Sequence, residues 1–162
     1  VHRADQACRQ GEFVVLTKGS ARIEIAASAE AVYLLLSDVE RIGEFSPECE
    51  RAQWQDGVTG PHAGVHFIGH NRSGGATWSV ECRVLRAMPG EEWVFKSNLA
   101  SATPTTWRYT LEATPQGCIV TEAWDAPVLA TPEAAAQMVG RDEQLADNVQ
   151  TSLSNLKRLA EG

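Results

Sequence analysis

Residues 131–162, TPEAAAQMVGRDEQLADNVQTSLSNLKRLAEG, decide the fold. Thr131 can cap a helix, Pro132 suits a first helical position, and Glu133 favours the positive N-terminal end of the helix dipole. Beyond Gly140, apolar residues recur at Leu145, Val149, Leu153, Leu156 and Ala160. This spacing makes one apolar stripe on a long helix. Arg141, Asp142, Glu143, Asp147, Asn155 and Lys157 fall on the other face. Lys157 and Arg158 sit near the negative C-terminal end, and Gly162 lies at the stop. Such a helix needs a wide apolar surface to lie on.

The chain before it supplies that surface as strands. Ala21–Ala26 alternates, with Ile23 and Ile25 facing inward. Ser28 then caps a short helix through Val32, Leu35 and Leu36 to about Asp38. A second short helix, Val39–Phe45, ends at Ser46-Pro47. From Glu48 onward strand follows strand. Glu48–Gln55 closes at Asp56-Gly57, and Gly64–Asn71 turns at Ser73-Gly74-Gly75. Ala76–Ala87 turns at Pro89-Gly90, and Trp93, Phe95 and Ser97 share one face of the next strand. After a polar loop, Asn98–Pro104, come Trp107, Tyr109 and Leu111, the turn Pro115-Gln116-Gly117, and Cys118–Asp125. Strands at this spacing imply an antiparallel meander. Residues 20–162 read as one α+β domain. Residues 1–19 read as an N-terminal extension that could be flexible, and Phe13–Leu16 could extend the first strand.

A chain of 162 residues can bury about two-thirds of its unfolded surface in one core. Hydrophobic content of 43% and charged content of 22% are globular values. The net charge of −7 argues against nucleic acid or an anionic membrane as the main partner. No apolar run approaches a membrane span, so no integral membrane association is expected. Phe13-Val14-Val15-Leu16, preceded by Glu12, is too short for a signal-peptide core, and a cytoplasmic protein is the default. Cys8, Cys49, Cys82 and Cys118 form no CxxC pair, which favours reduced thiols over disulfides or a zinc site.

The order strand, two short helices, six strands, long helix resembles the helix-grip fold of the START-like (SRPBCC) superfamily, in its polyketide cyclase/dehydrase and lipid-transport branch. The residues that carry the resemblance are Ala27-Ser28-Ala29-Glu30-Ala31-Val32-Tyr33 with Asp38-Val39-Glu40-Arg41, Gly64–Arg72, Trp107–Glu112, Gly117–Glu122 and the tail Leu153–Gly162. The resemblance implies a seven-stranded antiparallel sheet curled around the C-terminal helix, with an elongated hydrophobic cavity between them. It implies no cofactor, and members of such a family share a cavity and not a reaction.

Alternation places the candidate ligand-binding residues on one face. Phe67 and Asn71 come from one strand, Trp78 and Val80 from the next, then Trp93 and Phe95, then Trp107 and Tyr109. Val120, Glu122 and Trp124 come from the last strand, and Val149 from the helix. An apolar pocket with a few polar groups fits this pattern, and so does a filled aromatic core. The five tryptophans weigh toward a pocket, because indole N–H groups want partners that a dry core seldom offers. A carboxyl on that face would have its pKa raised by desolvation, which makes Glu122 with Tyr109 the candidate catalytic acid/base pair. An ordinary ion pair of Glu122 with Arg108 or Arg83 is the competing expectation.

Other constellations point away from chemistry. On a strand His66 and His70 would stand about 13 Å apart and could not share one metal, so no metal site is expected. No nucleophile elbow or Cys–His signature is present. Gly74-Gly75 joins two strands and reads as a hairpin turn, not a phosphate cradle. Asp38, Glu40, Glu44, Glu48 and Glu50 read as a solvated acidic surface without calcium-loop spacing. Three functions fit: binding of a lipid- or polyketide-like small molecule, a cyclase/dehydratase using Glu122 and Tyr109, or a protein-interaction module with a filled core.

Overall fold

The computed structural model describes residues 14–129, 131–133, 136 and 140–162. The elements are β1 (Val14–Ile25), α1 (Ala29–Ser37), a short 3-10 helix (Val39–Glu44), β2 (Cys49–Trp54), β3 (His66–Ser73), β4 (Ala76–Met88), β5 (Glu92–Ser97), β6 (Thr105–Thr114), β7 (Gly117–Leu129) and α2 (Arg141–Glu161). The strands form one antiparallel seven-stranded sheet in the order β1-β7-β6-β5-β4-β3-β2. Consecutive strands β2 to β7 are neighbours, as short turns require. The exception is the step from β1 to β2, which must cross from one edge of the sheet to the other. The two short helices make that crossing. Ser28 starts α1 by accepting a hydrogen bond from Ala31 N at 3.1 Å, and α1 buries Val32, Tyr33 and Leu36.

Two element boundaries differ from the pattern-based expectation. β1 begins at Val14, seven residues before Ala21, because its pairing with β7 runs from Val14↔Leu129 to Ile25↔Cys118. Thr17-Lys18-Gly19-Ser20 carries no apolar alternation, so only Phe13–Leu16 pointed to this extension. Cys8 and residues 1–13 lie outside the described residues. At the helix start expected at Thr131-Pro132-Glu133, Pro132 and Glu133 are helical, but the long helix is not continuous with them. α2 itself begins at Arg141, after Gly140 at φ 77°. That left-handed conformation is accessible to glycine at little cost and ends any continuous helical run.

The core lies between the concave face of the sheet and α2. Leu145, Val149, Leu153 and Leu156 are buried, with Ser152 beside them. Aromatic rings cross the sheet in edge contacts: Trp54 to Phe67 at 5.8 Å and Phe67 to Phe95 at 5.3 Å between centroids. A bulge between Val84 and Arg86 breaks the alternation of β4, so that Val84 faces Phe95 and Ala87 faces Trp93. Polar contacts fasten α2 at both ends. Near its C-terminus, Glu161 accepts from Ala26 N at 2.8 Å and Lys157 donates to Glu24 O at 2.9 Å. Near its start, Arg141 forms a two-bond ion pair with Glu48 at 2.9 and 3.0 Å. Asn148 donates to the same carboxylate at 3.0 Å, and Gln144 donates to Ser73 Oγ at 3.1 Å.

Candidate functional site

Helix and sheet do not close completely. A pocket of about 480 Å³ remains beneath the first turns of α2. Its buried walls are Phe67 of β3, Cys82 of β4, Phe95 of β5, Tyr109 of β6, Glu122 of β7, and Leu145 and Val149 of α2. The half-buried and exposed lining that makes its mouth comes from Ser46–Cys49 on one side and, on the other, from Asn98, Ser101 and Thr103 of the β5–β6 loop with Thr105 at the start of β6. The Glu48–Arg141 pair stands at that mouth.

The polar centre is a register effect. Tyr109 and Glu122 are direct partners across β6 and β7, so their side chains emerge together on the concave face. The Tyr109 hydroxyl donates to Glu122 Oε1 at 2.6 Å. Glu122 is 3% exposed, and its Oε2 has no hydrogen-bond partner. Burial pushes the Glu122 carboxyl up to about 8, although the Tyr109 hydrogen bond opposes the shift. Burial, and then the neighbouring Glu122 charge, hold the Tyr109 hydroxyl well above the usual phenol value. At neutral pH the pair is therefore a carboxylic acid hydrogen-bonded to a phenol. It can donate a hydrogen bond or a proton, and Tyr109 is no base. Arg108 does not pair with Glu122. It reaches Glu92 on the other face of the sheet, as does Arg86 at 3.2 Å.

Of the expected ligand-binding residues, Phe67, Asn71, Trp78, Val80, Phe95, Trp107, Tyr109, Glu122 and Val149 line the pocket. Asn71 and Trp78 face each other across β3 and β4, and Trp78 is 36% exposed. Trp107 donates its indole N–H to Ser97 Oγ at 3.1 Å. Trp93, Val120 and Trp124 do not line it. Trp93 and Val120 belong to the packed part of the core with Leu111, Leu153 and Leu156. Trp124 lies against Gly19 of β1, where a Cβ would come within 2.3 Å of its ring. Its indole Nε1 is buried without a partner.

Several lining residues were not among the expected ones. Ile42, Phe45 and Ser46 to Cys49 come from the connection to β2, and the β5–β6 loop has no alternation to read. Ser152 and Asn148 did carry a signal, since each lies three residues along α2 from an apolar-stripe residue, Val149 and Leu145 respectively. Glu48, expected on a solvated acidic surface, is instead largely covered and paired with Arg141. Burial pushes the Cys49 and Cys82 thiols up to about 11 and about 12, so neither is a ready nucleophile. Among the described residues no group of three or more His, Cys, Asp or Glu side chains could hold a metal. His70 Nδ1 lies 2.8 Å from Ser79 Oγ.

Residues 17–161 match the family described as polyketide cyclase / dehydrase and lipid transport, and the chain belongs to that family. No curated protein sequence matches it. Among solved structures, a Polyketide_cyc-like protein from Corynebacterium glutamicum is 26% identical at TM-score 0.58, over 88% of this chain and 90% of that one. A protein from Chromobacterium violaceum is 18% identical at TM-score 0.66, over 90% and 98% of the two chains. The di-domain ARO/CYC StfQ from the steffimycin biosynthetic pathway is 18% identical at TM-score 0.71, over 90% of this chain and 51% of that one. At such identities the likeness to the last two is one of fold.

Proposed function

We propose that the protein binds an apolar or amphipathic small molecule, lipid- or polyketide-like, between the sheet and α2. The observation that carries this reading is the pocket of about 480 Å³, with apolar walls and the buried Tyr109–Glu122 pair in its lining. That volume falls in the range of small-molecule sites, and a few fixed polar groups among apolar walls are their usual composition. The described cysteines, Cys49, Cys82 and Cys118, are free thiols, which supports a reducing compartment such as the cytoplasm. Native mass spectrometry of freshly purified protein tests the reading. An added mass of a few hundred daltons, lost on denaturation, is expected, and the tryptophan emission of Trp78 and Trp107 reports rebinding. A bare mass, together with no emission change on adding long-chain or polycyclic compounds, counts against it.

A second reading is a cyclase or dehydratase acting on a polyketide-like substrate. It is favoured by one observation: a carboxyl held protonated near neutrality inside the pocket, where it could act as a general acid. The ARO/CYC description of a structural neighbour is consistent with it. Glu122→Gln would then abolish turnover of a polyketide substrate while leaving its binding intact. Equal turnover in the variant removes Glu122 from any mechanism.

A further inference from the structure

The Glu122 carboxyl has two oxygens in different situations. Oε1 accepts the Tyr109 hydroxyl proton at 2.6 Å. Oε2 is buried and has no partner among the described residues. A buried polar atom left unpaired is destabilising, so an orphan on a residue that lines a ligand-sized pocket points to a group that arrives from outside. We infer that the pocket selects uncharged ligands bearing a carbonyl-type acceptor oxygen, which receives a hydrogen bond from the protonated Oε2 of Glu122. This inference rests on the ligand-binding reading above.

The assignment of donor and acceptor follows from the neighbours. A phenol has one proton, and Tyr109 directs it to Oε1, so the carboxyl proton resides on Oε2. The burial that removes Glu122 from water keeps that proton in place up to about pH 8. The acid is then a donor, and its complement is a ketone, ester or amide oxygen in a neutral molecule. A carboxylate-bearing ligand would bring an unpaired charge into that desolvated space. No other charged group intrudes. β1 places Ala21 opposite Glu122, and β5 contributes Phe95 and Ser97. The remaining titratable lining groups are Tyr109 from β6, Cys49 from β2, Cys82 from β4, and the mutually paired Glu48 and Arg141 at the mouth. The two thiols and the phenol titrate well above Glu122. Raising the pH through about 8 therefore converts the donor to a carboxylate and opposes a carbonyl oxygen.

The test compares two neutral probes of one shape: a naphthyl alkyl ketone and the matching alkylnaphthalene. Binding is followed by ligand fluorescence between pH 6 and pH 10. On the native protein the ketone is expected to bind about tenfold tighter at neutral pH, with the advantage disappearing as pH rises through the Glu122 transition. Glu122→Gln keeps an N–H donor at that position, so the ketone preference should persist and become independent of pH. Glu122→Leu should lose the preference while still binding the alkylnaphthalene. Equal binding of the two probes to the native protein at every pH overturns the inference and leaves the pocket reading standing. A preference that survives in Glu122→Leu also overturns it. Binding of neither probe removes both.

Discussion

Glu122 carries a thermodynamic signature that does not depend on a ligand. Its carboxyl binds a proton up to about pH 8 in the folded protein, whereas in the unfolded chain it ionises in the ordinary carboxylate range. Between those limits the folded state holds the extra proton, so stability falls as pH rises. The contribution is fully present below the unfolded-state value and is lost as pH passes through about 8. Glu122→Gln removes this dependence. Its stability relative to the native protein should rise steadily across that window, measured by urea unfolding at stepped pH. Parallel profiles for the two proteins would mean that Glu122 ionises normally in the fold. The position was legible in the sequence because β6 and β7 pair without a bulge from Thr106 to Thr114, so parity alone puts Tyr109 and Glu122 on one face. Glu48 was not legible. Its partner Arg141 lies 93 residues away, and nothing near Glu48 distinguishes it from the solvated carboxylates around it.

α2 divides into a packed part and a tethered part, and substitutions should separate them. Leu153 is 1% exposed in the main core. Leu153→Ala removes buried methyl groups and leaves a cavity, so a loss of about 2–5 kcal/mol is expected in denaturant unfolding. Arg141→Ala acts differently. The ion pair with Glu48 is partly exposed, and its loss should cost the global stability about 1 kcal/mol or less. It should instead loosen the mouth, with faster hydrogen exchange at residues 141–148 and faster association and release of a bound probe. A large global destabilisation from Arg141→Ala would mean that the clasp is part of the core. The apolar stripe made the buried face of α2 readable, because a period of 3.6 survives whatever the helix lies on. The Thr-Pro-Glu signal did mark a helical stretch, since Pro132 and Glu133 are helical, but it did not show that α2 starts afresh at Arg141. Gly140 resets the backbone, and its left-handed φ is a property of geometry that composition only permits.

On the scale of the whole molecule, the sheet order explains why sequence patterning reached the architecture but not the shape of the site. Antiparallel neighbours connected by short turns follow from local spacing, and so does the meander from β2 to β7. How far α2 stands off the sheet does not. That gap depends on bulges, on the connection from α1 to β2, and on the β5–β6 loop. This is why Trp93 and Val120 lie in solid core while Phe95 and Tyr109 face open space. One consequence concerns synthesis. α2 is the element that covers the concave face, and it follows every strand in chain order. Growing on the ribosome, the chain must present Phe67, Phe95 and Trp93 to the cell before their lid has been translated. Chaperone engagement should peak in that interval and fall when Leu145 to Leu156 emerge. Translation stopped before Arg141 should yield chains that aggregate or remain chaperone-bound, detectable by sedimentation of arrested nascent chains. Full-length chains released from the ribosome, with α2 free to dock, should escape both fates.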